Sequence, residues 1–176
     1  MEVMKAMLER RSCKGFKPDP VPEDLLNEVM ETAKYAPSGM GKQAPIVLCV
    51  TNKEMRDRLS RLNAAVMGQK EGFDPFYGAP VVLVVLADKN VRTYLYDGSL
   101  AMGALMYAAW DKGLGSCWIH RAKEVFDSEE GKAILKELGI EGDYEGIGNC
   151  IIGYRDEEIP YRDRLPRKEN YIYYVK

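Results

Sequence analysis

The sequence of 176 residues predicts a mixed fold, α/β or α+β, in one domain spanning 1–176. Two observations carry that expectation. Apolar residues recur at helical spacing in several stretches, and short β-branched apolar runs stand between them. A third observation leaves the class open between the two. The helical and extended segments alternate only loosely, which does not establish a purely parallel sheet. Four or five strands and five helices are expected.

Val3, Met4, Met7 and Leu8 open the chain at helical spacing. Leu25, Leu26, Val29, Met30 and Ala33 repeat the pattern on one face, with Pro22 suited to the first turn. Ala36-Pro37-Ser38-Gly39-Met40-Gly41 then breaks it. Proline disfavours helix for the residue before it, and two glycines permit unusual backbone angles. Residues 46–50 read as a strand. Thr51-Asn52-Lys53-Glu54 has the Thr-x-x-Glu form of a capping box, ahead of Met55, Leu59, Leu62 and Val66. Residues 68–78 are a loop. Pro80 leads into the strongest strand, 81–86, whose unbroken apolar run implies burial on both faces. A long helix over about 93–112 is apolar around much of its circumference, which suits the core or a subunit interface, and Gly113 stops it. Residues 116–119 are extended. Ser128 is a candidate cap for a helix bearing Ile134, Leu135 and Leu138, with Gly139 at its end. Residues 147–154 form another strand, and 171–175 are extended by composition.

Composition narrows the function classes. A net charge of -2 gives no global footprint for nucleic acid, so no nucleic-acid partner is expected. No apolar run is long enough to span a bilayer, and Glu2, Lys5 and Glu9 argue against a signal peptide, so no membrane partner is expected. The cysteines, Cys13, Cys49, Cys117 and Cys150, fit no zinc spacing. They are read as reduced thiols of a cytoplasmic protein. A single histidine, His120, leaves no spacing for a metal site or a serine-protease triad.

Basic residues are concentrated locally. Arg10-Arg11-Ser12-Cys13-Lys14 places three cations and a hydroxyl within five residues. Guanidinium groups offer planar forked donors and lysine a point charge, so the cluster suits a phosphate; it equally suits a basic helix end. A second basic stretch runs over 162–168. Gly113-Leu114-Gly115 is only a fragment of a dinucleotide fingerprint and follows a helix, where a helix stop explains it.

Taken in order, these segments resemble the FMN-dependent nitroreductase family. Arg10-Arg11-Ser12-Cys13-Lys14-Gly15-Phe16 looks like its opening signature. Ala36-Pro37-Ser38-Gly39-Met40-Gly41-Lys42-Gln43 resembles the second. Tyr77-Gly78-Ala79-Pro80, then Asp97-Gly98-Ser99-Leu100-Ala101-Met102 leading to Gly113-Leu114-Gly115-Ser116-Cys117-Trp118-Ile119, resemble the middle. Gly148-Asn149-Cys150-Ile151-Ile152-Gly153-Tyr154 and Pro166-Arg167-Lys168 complete it. The resemblance covers nearly the whole chain.

The resemblance implies an α+β, three-layer α/β/α sandwich around a mixed, mostly antiparallel sheet. It implies a homodimer with flavin at the subunit interface and an exchanged C-terminal strand. It also implies FMN as cofactor, NADH or NADPH as electron donor, and small nitroaromatic or quinone acceptors reduced by a ping-pong hydride-transfer mechanism. By the same resemblance Arg10, Arg11, Ser12 and Lys14 bind the flavin or its phosphate, with Lys14 near the pyrimidine edge. Arg167, or Lys168, supplies a late phosphate contact. Pro37, Ser38 and Gly39 reach the flavin from the other subunit. His120 and Arg121 direct main-chain N–H groups at the ring. No catalytic acid or base and no metal ligand is assigned. Position 41, commonly asparagine, is glycine here, and Ala44-Pro45 replaces the usual Pro-Trp. A flavin-storage protein and a flavin-consuming or dehalogenating relative are the alternatives.

Overall fold

The computed structural model describes residues 3–176. Its elements are α1 (Val3–Glu9), α2 (Glu23–Lys34), β1 (Pro45–Val50), α3 (Lys53–Val66), β2 (Val81–Asp88), α4 (Tyr94–Asp111), β3 (Gly115–Ile119), α5 (Ala122–Asp127), α6 (Glu129–Glu137) and β4 (Tyr144–Gly153). The four strands lie in the order β1-β2-β4-β3, and every neighbouring pair is antiparallel. The class is α+β. The mixed character expected of the sheet is confined to one isolated parallel bridge, Ser12 to Ser116.

β2 explains the layering. Its side chains alternate between two cores, as the period of two requires. Val82, Val84 and Leu86 join Leu59 of α3, Val125 and Phe126 of α5 and Ile134 of α6. Val81, Leu83, Val85 and Ala87 join Leu26 and Val29 of α2 and Met102, Leu105 and Ala109 of α4. The sheet is therefore sandwiched between α2/α4 and α3/α5/α6. Both faces of β2 are covered, as its continuous apolar run demands. The β2–β4 register shifts between Val85 and Leu86, whose partners are Gly148 and Gly146. Ile147 is the extra residue of this bulge. It packs where a Cβ on Gly98 would fall, 2.5 Å from Ile147 Cγ1.

Two expectations need correction. The cap of α3 is Asn52, not Thr51; its side chain accepts from the Met55 N–H at 2.9 Å. There are six α-helices among the described residues rather than five, because α5 is a separate element before the Ser128-capped α6. Residues 171–175 have no strand partner in the protomer. Cys13, Cys117 and Cys150 are buried and Cys49 exposed, all as free thiols. No helix among the described residues is long and apolar enough to cross a membrane.

Candidate flavin-phosphate cleft

The N-terminal cations are brought to the free edge of β3. Cys13 N–H donates to the Ser116 carbonyl at 2.9 Å, and Lys17 N–H to the Tyr154 carbonyl at 2.9 Å, so segment 12–16 runs between β3 and the end of β4. Gly115 is needed there: a Cβ on it would lie 2.7 Å from the Cys13 sulfur. The chain leaving β4 then folds back across the same edge. The result is a cleft of about 690 Å³ lined by Arg10, Arg11, Ser12, Cys13, Lys14, Tyr77, Cys117, Trp118, Arg155 and residues from 159–167.

Its charge is one-sided. Arg10, Arg11, Lys14, Arg155, Arg162, Arg164 and Arg167 face it against a single carboxylate, Asp163. Arg10 Nη1 and Arg155 Nε are buried without a hydrogen-bond partner in the protein. A guanidinium stays charged at any physiological pH, and a buried charged donor left unpaired is costly. An anion with several acceptor oxygens offers the kind of partner both lack, so the chemistry of the residues present fits a phosphate.

The other cations are partly engaged. Arg11 Nη2 donates to the Arg162 carbonyl, and Arg164 Nη2 to the Glu9 carbonyl at 2.9 Å. The Tyr161 ring takes Arg155 on its face at 4.2 Å and Arg11 at 5.5 Å. These contacts strap residues 159–165 to the N-terminal cluster. Lys14 Nζ lies 5.3 Å from the centroid of Tyr77. Burial pushes the Cys13 and Cys117 thiols up, outweighing the Gly15 hydrogen bond to the first and the Ser12, Lys14 and Arg10 contributions to the second. Neither is a ready nucleophile.

Five of the residues singled out by sequence, Arg10, Arg11, Ser12, Lys14 and Arg167, share this cleft; Lys168 does not line it. The other five lie elsewhere in the protomer. Pro37 and Ser38 line a separate hollow of about 320 Å³ with Gln43 and the buried Asp97. Gly39 N–H donates to Asp97 Oδ1 at 3.0 Å, and a Cβ there would strike the Thr93 side chain. Met40, Gly41 and Gln43 all have positive φ, at 51°, 65° and 50°. Glycine at 41 meets that geometry without strain. His120 is exposed and Arg121 half-buried, just beyond β3. Sequence reading missed Arg155 and Tyr161, and noted Arg162 and Arg164 only as part of the basic stretch over 162–168. The density of arginine over 155–167 was the available signal.

Residues 7–154 match the model of the Nitroreductase family. The chain is 32% identical over 189 residues to the FMN reductase (NAD(P)H) of Bacillus subtilis, covering 95% of this chain and 71% of that one. A relative from Methanothermobacter thermautotrophicus is 26% identical over 122 residues; the match covers 67% of this chain and the chain spans 60% of its length. The crystal structure of a nitroreductase with bound FMN from Bacteroides fragilis superposes with a TM-score of 0.89 at 26% identity, covering 100% of both chains. With the match spanning both the cationic segment and the whole sheet, the chain belongs to the Nitroreductase family.

Proposed function

We propose that this chain is an FMN-dependent oxidoreductase that draws electrons from NADH or NADPH and reduces nitroaromatic, quinone or similar electron-poor acceptors. One observation carries the reading: a cleft faced by seven cations, two of them with buried donors unpaired within the protein, in a chain of this family. The flavin, when bound, supplies the two-electron redox chemistry between nicotinamide and acceptor. The chain's residues hold and tune it. Arg10, Arg155 and Arg167 would grip the phosphate, and Ser12 the neighbouring hydroxyls. Lys14 would stand near the ring, where a cation favours the negative charge that develops on reduction. Arg11 would act by fastening residues 159–165 over the site. Solvent supplies protons, since no side chain is assigned as acid or base.

The active unit in this reading is a homodimer. Pro37, Ser38 and Gly39 lie outside the cleft of their own protomer and would complete the site of the other. Val3, Met4, Met7 and Leu8 of α1 and Leu95, Tyr96 and Leu100 of α4 are exposed apolar groups, as are Tyr171, Ile172, Tyr173, Tyr174 and Val175. A second copy would cover them, with the C-terminal segment exchanged. Four free thiols suit a reducing, cytoplasmic setting.

Anaerobic mixing of the FMN-loaded protein with NADH and with NADPH tests the proposal. Rapid bleaching of the flavin followed by reoxidation with a nitroaromatic or quinone, with ping-pong steady-state kinetics, is expected. Slow bleaching with both donors would make the chain a flavin-storage protein instead. A protein left colourless after refolding with FMN would remove the flavin altogether.

A further inference from the structure

Asn63 sits in the interior of α3, where asparagine is a poor helix former, and it is 0% exposed. Both ends of its carboxamide are used by the two-residue turn that joins β3 to α5. Nδ2 donates to the His120 carbonyl at 3.0 Å, and Oδ1 accepts from Arg121 Nε at 3.0 Å. A second buried amide, Asn149 at 2% exposure, directs its Nδ2 to the Ile119 and His120 carbonyls at 3.4 and 3.5 Å. Arg121 itself has φ 75°, a left-handed conformation uncommon for a residue with a Cβ. Such a backbone persists only where its surroundings over-determine it.

The peptide geometry carries the consequence. The 120–121 bond is trans, so its carbonyl and N–H point in opposite directions. With the His120 carbonyl drawn inward onto Asn63 and Asn149, the Arg121 N–H is turned away from them, out of the core. We propose that Asn63 is a positioning residue of the flavin site. It acts through the His120–Arg121 turn by fixing which way that main-chain donor points. The inference rests on the proposed flavin function and on the expectation from the family resemblance that residues 120–121 offer main-chain N–H groups to the ring.

The test is an FMN titration with visible spectra of the bound flavin. Asn63→Ala in the full chain should raise the FMN Kd about tenfold, in the range expected for losing one or two hydrogen bonds, and shift the flavin absorption bands. Arg121→Gly removes the side-chain bond to Asn63 Oδ1 but leaves the His120 carbonyl on Asn63 Nδ2, so adding Asn63→Ala to that background should still raise Kd several-fold. A loss confined to the parent background would tie Asn63 to the Arg121 side chain rather than to the main-chain donor, and that result overturns the proposal. So does an Asn63→Ala protein with the parent's Kd and spectrum. Should Asn63→Ala fail to fold, Asn63→Asp keeps the volume and the acceptor toward Arg121. It sets an oxygen against the His120 carbonyl and should show the same loss; parent-like binding by it refutes the idea. A parent chain that binds no FMN refutes the functional reading instead.

Discussion

Asp74 anchors the loop that brings Tyr77 to Lys14, and its replacement by asparagine has a calculable cost. Four donors converge on its carboxylate. Oδ1 accepts from Ser60 Oγ at 2.7 Å and Phe76 N–H at 3.0 Å; Oδ2 accepts from Arg56 Nη2 at 2.5 Å and Gly78 N–H at 2.8 Å. Arg56 is held in turn by the Ala79 carbonyl at 3.1 Å and lies over Phe76. In Asp74→Asn one oxygen becomes an NH2 group facing two donors. Two hydrogen bonds at about 1.5 kcal/mol each give about 3 kcal/mol. The Asp74 side chain is 32% exposed, and solvent screening brings the expectation to about 2 kcal/mol. For a chain of this size that lowers Tm by roughly 4–8 °C.

The pH dependence of that gap is a second readout of the same variant. Burial pushes the Asp74 carboxyl up, but Arg56, Ser60 and the Gly78 and Phe76 N–H groups outweigh it and hold its pKa below the ordinary 3.8. A depressed folded-state pKa contributes stability that is present above the unfolded value and lost as pH falls through the folded one. Urea unfolding of parent and Asp74→Asn should differ most at neutral pH and converge as the pH drops below about 4. A difference under about 0.5 kcal/mol at pH 7, or one that persists unchanged into acid, would refute the reasoning.

Two further substitutions probe the scaffold and the cleft. Gly146→Ala sets a Cβ against the carbonyl carbon and oxygen of Ala122, backbone atoms that cannot swing aside. It should cost about 3 kcal/mol in chemical unfolding; a change under about 1 kcal/mol would show that α5 shifts freely on β4. Arg10→Ala should weaken FMN binding by roughly tenfold or more in a fluorescence titration, yet leave the oligomeric state by light scattering unchanged. Unaltered affinity would take Arg10 out of the site.

The strands and long helices were legible because each carries a local signal. Residues 81–86 are apolar without a break, Gly113 and Gly139 end their helices at positive φ, and Ser128 accepts from the Gly131 N–H as a cap should. α5 was not legible. Its three buried residues, Ala122, Val125 and Phe126, span too few turns to set up a period. Thr51 and Asn52 are both good caps, and only the backbone decides between them. The sheet order was hidden as well, since nothing local in β4 says that it lies between β2 and β3. In the cleft, Arg10, Ser12 and Lys14 stood out because they are adjacent in sequence. Arg155 and Tyr161 come from the chain after β4 and meet them only in the fold. Asn63 gave no signal at all, because a lone asparagine in a helix reads as a solvated face until its burial is known.

In the proposed function Arg10 and Arg155 would hold the flavin phosphate. Titrating the protein with FMN and with riboflavin at one ionic strength tests this directly, because the two ligands differ only in that group. Two charge-assisted hydrogen bonds at about 1.5 kcal/mol or more apiece predict FMN binding at least about 100-fold tighter than riboflavin. Equal affinities for the two would contradict it.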